Sequence, residues 1–218
     1  MRSTYSHIAL RTRQIIAALC ISISLSAQTA DRDLLDAYQR QDMSVWREYV
    51  ESIPSSAISD RSLMYEYGFC GYMVAEAKKE GKESLLPEAK RAVRQFKSHV
   101  EQLHSLPDKE GIGLPPGHYE MYTSAVYVYE LRLKESIHPI KAMSLAKEAV
   151  QKAPKDPLVL SYYGTCLFYA PKPFGSKSEA LTYFEKADRL FQTPEWQFCW
   201  VREATKMYIT QCHEKLKR

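Results

Sequence analysis

Along most of the chain, apolar residues recur in steps of four, three and four, the spacing of helices that bury one face. Ala142, Ala146, Ala149 and Ala153 keep this spacing without a break. Adding 38 to each number gives Ala180, Phe184, Ala187 and Phe191, a second stripe in the same phase. The helix ahead of each obeys the same offset: Tyr122, Ala125, Val126 and Tyr129 become Leu160, Tyr163, Gly164 and Leu167. A looser copy comes earlier, with Met64, Tyr67, Gly68 and Gly71 on one helix and Ala89, Val93, Phe96 and Val100 on the next. The pattern predicts three helix hairpins on one plan. Each buries only part of its apolar face alone, so stacking must supply the core.

Breaks in the pattern fall where such hairpins need them. Asp156-Pro157, His138-Pro139 and Thr193-Pro194 place proline near helix starts, where its missing N–H costs little. Ser176–Glu179 has the spacing of a capping box. Ahead of it, Pro171, Pro173 and Gly175 end a helix, so "YAPKPFG" reads as an extended hairpin tip. "LKESIHP" before Ile140 makes the equivalent tip on the same edge. Asp31–Ile53 should form two short helices turning near Gln41-Asp42, with Leu34, Leu35, Tyr38, Val45, Trp46 and Tyr49 covering the first hairpin. From Pro194 onward a closing amphipathic helix is expected, with Trp196, Trp200, Met207 and Ile209 available for burial. Pro107–His118 is the longest irregular stretch and reads as a connector.

The first residues follow another rule. Arg2, Arg11 and Arg13 precede an apolar run, Ile15–Ala27, that ends in small residues. This is the tripartite form of a cleaved secretory signal, and the run is short for a membrane span. Cleavage is expected after Ala27. Its end, "SLSAQ", resembles the signal-peptide ends common in Bacteroidetes-type bacteria. The 30 Lys and Arg outnumber the 26 Asp and Glu, but the leader holds three of the bases and no acid. The remainder is near neutral, 27 against 26, which leaves no basic face for nucleic acid. Cys70, Cys166, Cys199 and Cys212 show no paired spacing, and the reading favours buried thiols over a disulfide framework.

"LSYYGTCL" (Leu160–Leu167), "ALTYFEKA" (Ala180–Ala187) and "AMSLAKEAVQKAP" (Ala142–Pro154) resemble the tetratricopeptide repeat. The offset of 38 exceeds that family's repeat of about 34, and Gly71 stands where an aromatic is usual. The resemblance covers roughly residues 60–192. It implies an all-α, right-handed α-solenoid of stacked helix hairpins with flanking capping helices. The expected division is 1–27 signal peptide, 28–58 N-terminal capping helices, 59–192 three hairpins and 193–218 a C-terminal capping helix.

No HExxH, GxSxG, P-loop or dinucleotide fingerprint occurs, so no enzyme is expected. "YGFCGY" around Cys70 reads as a buried thiol rather than a nucleophile. His99 and His104 lie five apart and do not share a helix face, so no metal site is expected. His118, His138 and His213 sit at presumed helix ends and read as solvated. In the resembling family, one stripe of the first helices lines a concave groove. Here that stripe is Tyr65, Phe69 and Tyr72, then Thr123, Tyr127 and Glu130, then Ser161, Thr165 and Phe168. Tyrosine suits such a surface, with an apolar body and a hydroxyl that tolerates water. The expectation is a periplasmic or secreted scaffold, without cofactor or nucleic acid, that holds an envelope protein or extended peptide segment in the groove. It would keep no integral membrane span after signal cleavage. The alternative is a periplasmic small-ligand or transporter-accessory binding protein.

Overall fold

A computed structural model describes residues 29–106 and 113–217. The expected signal segment and cleavage point lie outside these residues, as does the first half of the Pro107–His118 connector. Nine α-helices and no strands are present among the described residues. They are α1 (29–39), α2 (Met43–Ser52), α3 (Asp60–Glu76), α4 (Leu86–Ser105), α5 (His118–Arg132), α6 (Pro139–Lys152), α7 (Pro157–Tyr169), α8 (Lys177–Leu190) and α9 (Trp200–Leu216).

The helix starts have local causes. Ser59 accepts from the Ser62 N–H while the Ser62 hydroxyl accepts from the Ser59 N–H, a reciprocal cap on α3. Asp156 accepts from the Leu158 and Val159 amides, and Pro157 follows where no amide is needed. Ser176 caps α8 by accepting from the Glu179 N–H at 3.2 Å. The closing helix starts later than its pattern suggests. A single 3₁₀ turn spans Pro194–Trp196, and α9 begins only after Cys199 takes an extended conformation. Trp196 packs edge-on against Phe191, Trp200 is buried, and Met207 is exposed rather than buried.

Each helix from α2 to α9 packs on its successor, and α3, α5, α7 and α9 also touch one another in turn. Cross-links fix their direction. Tyr129 donates to the Tyr67 carbonyl at 2.9 Å, and Tyr122 to the Asp60 carbonyl at 3.1 Å, so α3 and α5 are parallel. The Ser124 and Tyr162 hydroxyls meet at 2.8 Å, and those of Ser161 and Thr205 at 2.7 Å. Phe168 meets Tyr208 further along, so α7 and α9 also run together. The N-terminal ends of α3, α5 and α7 therefore gather at one edge, and the turns α3–α4, α5–α6 and α7–α8 gather at the other.

A buried histidine ties the first edge. His118 Nδ1 lies 2.7 Å from Asp60 and Nε2 3.1 Å from Asp156. Burial alone would push this imidazole down, but the hydrogen bonds it donates to Asp156 and Asp60 hold its pKa up at about 9. The expected solvation of His118 is thus corrected: three helix N-termini converge there, and the ring is 2% exposed. A second buried pair, His99 with Glu66 at 2.9 Å, joins α4 to α3. Burial raises the Glu66 carboxyl despite the opposing hydrogen bond from His99.

Among the described residues, the first two helices meet the last. Trp46 of α2 packs edge-on against Trp200 of α9, and Tyr38 touches both rings. All four cysteines between Cys70 and Cys212 are free thiols, and burial pushes Cys166 and Cys199 up to about 12.

Candidate functional site

The stripe read from the sequence is divided in the structure. Tyr65 is buried, donates to Asp31 of α1 and packs edge-on against Tyr49 of α2. Phe69 is buried in the core. Ser161 is buried against Thr205 of α9, and Thr165 donates back to the Ser161 carbonyl at 3.0 Å. Phe168 is buried against Tyr208 of α9. Tyr72 and Thr123 are half-buried. The face that was to be an open groove is thus covered at one end by α1 and α2 and at the other by α9. The physical reason is a shared preference. The residues that make a groove attractive to a ligand make it equally attractive to the chain's own amphipathic ends.

Tyr127 and Glu130 are brought together, in a cleft of about 460 Å³ between the middle of α4 and the α5–α6 turn. Its wall also includes Lys97, Lys134, Glu135, Ser136, Ile137 and His138. The Tyr127 ring stands edge-on to the His138 ring at 6.4 Å, and the Lys141 ammonium sits 4.8 Å above the same tyrosine. Ile137 is 84% exposed. Glu130 pairs with Lys97 at 3.1 Å and holds that ammonium's pKa up. Glu135 pairs with Lys90 at 3.1 Å and Arg94 at 3.8 Å. Both carboxylates thus have their cations, and Lys134 and Lys141 add positive charge. The Ser136 hydroxyl is buried with no hydrogen-bond partner among the described residues. Such a wall suits a ligand with an apolar face and anionic arms, and its volume falls within the range of small-molecule sites.

His138, Ile137 and Ser136 were not among the expected site residues. They belong to the extended tip "LKESIHP", whose extra length over a standard hairpin was the available signal. Among the described residues, no group of three potential metal-ligating side chains converges. His104 stacks flat on Tyr119 at 3.6 Å.

No family model and no curated protein matches the chain. One solved structure is similar, the HusA haemophore from Porphyromonas gingivalis, at a TM-score of 0.60 and 16% identity. The alignment covers 87% of this chain and 93% of that one. At this identity the likeness is one of fold.

Proposed function

We propose that this protein is an exported, non-catalytic binding protein. Its helices would form a right-handed α-solenoid of tetratricopeptide type, and the cleft at Tyr127 and His138 would carry a small molecule. The chemical class is a planar apolar ring system bearing carboxylates, as in a tetrapyrrole. Tyr127, His138 and Ile137 offer flat and aliphatic contact, Lys134 and Lys141 meet the carboxylates, and the Ser136 hydroxyl supplies one directional hydrogen bond. The cleft carries this reading, because it brings Tyr127 and Glu130 of the expected stripe together with the exposed Ile137 and the added positive charge of Lys134 and Lys141. The haemophore neighbour supports it, since that protein shares the fold and is named for carrying haem. It also makes an envelope or extracellular location the natural one, in agreement with the signal-like leader.

The peptide scaffold implied by the repeat resemblance finds less support. An extended segment crossing α3, α5 and α7 would have to displace α1, α2 and α9 from Tyr65, Ser161 and Phe168. Titration of the full exported chain with iron protoporphyrin and with metal-free protoporphyrin, followed by Soret absorbance and tryptophan quenching, tests the proposal. Saturable binding at one site is expected, weakened by the pair Lys134→Glu and Lys141→Glu. Absence of saturable binding for both porphyrins, or binding indifferent to those charges, would overturn it.

A further inference from the structure

The exposed apolar side chains are unevenly distributed. Among the described residues, Ile137, Ile140, Tyr169, Phe174 and Leu216 lie at the edge where the α5–α6 and α7–α8 turns and the end of α9 gather. Ile140 is 73% exposed, Tyr169 65% and Phe174 59%. Each stands at the end of a helix or in a turn.

The α7–α8 tip is held rigidly in this pose. Phe174 and Gly175 both donate backbone N–H groups to the Pro171 carbonyl, at 2.9 and 3.1 Å. A Cβ at position 175 would come 2.7 Å from the Leu167 carbonyl oxygen, so only glycine lets the loop lie this close over the end of α7. The loop is internally bonded, and its largest side chain is turned outward. Folding does not require that exposure.

Charge accompanies the apolar tips. Lys172 and Lys177 flank Phe174 with no acid between them, and Lys215 and Lys217 end α9 alongside. The Lys177 ammonium lies 4.0 Å over the Phe168 ring, and burial, then repulsion from Lys215, push its pKa down. An anion arriving there relieves that repulsion. The cations are lysines, which protein–protein interfaces disfavour, whereas headgroup layers accept long flexible ammonium chains. Separate apolar tips ringed by lysine suit a fluid interface better than a shaped partner.

We propose that this edge seats on an anionic phospholipid surface, with Phe174, Tyr169 and Ile140 entering the headgroup layer and Lys172, Lys177 and Lys215 meeting lipid phosphates. This surface borders the Tyr127 cleft at Ile137, but Ile140, Tyr169, Phe174 and the three lysines lie outside the cleft's lining, so either function can fail without the other. Flotation of the full exported chain with vesicles tests it, comparing phosphatidylcholine alone with a mixture containing phosphatidylglycerol. Binding to the anionic vesicles is expected, together with a blue-shifted emission for Phe174→Trp on binding. The pair Ile140→Ser and Phe174→Ser should weaken partition about tenfold with the melting temperature unchanged, as should Lys172→Glu with Lys215→Glu. No binding to anionic vesicles at low salt overturns the proposal. So does binding that survives loss of Ile140 and Phe174, which would mean adsorption by charge alone. Retention by a protein partner without vesicle binding overturns it as well.

Discussion

Ser124 and Tyr162 meet hydroxyl to hydroxyl at 2.8 Å across 38 residues of chain. That separation equals the offset that superposes the alanine stripes, so the sequence period has become a physical register between α5 and α7. Ser124 also donates to the Ala142 carbonyl at 2.6 Å, which leaves Tyr162 as the donor to Ser124. The two partners are not equivalent. Tyr162→Phe leaves Ser124 bonded and should cost about 1 kcal/mol or less, whereas Ser124→Ala leaves the buried phenol only the weak Cys166 sulfur as partner and should cost about 1–3 kcal/mol. Denaturant unfolding of both variants checks the order.

His118 makes stability depend on pH in a stated direction. Its pKa rises from 6.5 to about 9 on folding, so the folded state holds the proton more tightly. The contribution is complete below about pH 6.5 and is lost as pH climbs through about 9, amounting to about 3 kcal/mol. Melting temperature should therefore fall from pH 6.5 to 9.5 in the natural sequence. His118→Gln should be less stable at pH 6 and should show a much flatter profile over the same window.

Gly68 lies in the crossing of the two terminal elements. A Cβ there would come 2.7 Å from Trp200 Cζ2 and would also strike the Trp46 ring. Neither indole has room to retreat, since both are buried. Gly68→Ala should destabilise by about 1–3 kcal/mol through overpacking and shift the tryptophan emission of the folded state. A variant with unchanged stability would show that the two indoles do not close on α3.

Phe69 and Tyr127 occupy equivalent heights in the repeat plan but different surroundings. Phe69→Ala should cost about 3–5 kcal/mol, as for a fully enclosed ring. Tyr127→Ala should leave the melting temperature nearly unchanged and weaken porphyrin capture about tenfold, roughly 1.4 kcal/mol. Calorimetric melting and a binding titration on both variants separate core from site.

Periodicity made the helices legible because it follows directly from which faces are buried. Ala142, Ala146 and Ala149, and Ala180, Phe184 and Ala187, are buried in the spacing read from the sequence. The two short helices expected to turn near Gln41-Asp42 are present, and Gln41 makes that turn with a positive φ of 59°. The groove was not legible. Tyr65 and Tyr127 look alike as sequence, and only the packing of α1, α2 and α9 decides that one is buried and the other lines a cleft. His118 was missed for a related reason. Its partners Asp60 and Asp156 lie 58 and 38 residues away, and each alone reads as an ordinary residue at a helix start.

The contact between Trp46 and Trp200 changes how the molecule should come apart. An array whose units touch only their neighbours can fray from either terminus and lose one hairpin at a time. Here the first and last elements share an aromatic junction, so neither terminus is an open end. Removing either one bares indole surface on the other, and the loss is felt across the whole circuit. Unfolding should therefore be a single cooperative event. It should be slow to reverse, because the joint that completes the circuit links Trp46 to Trp200 and must wait for the long stretch of chain between them to close.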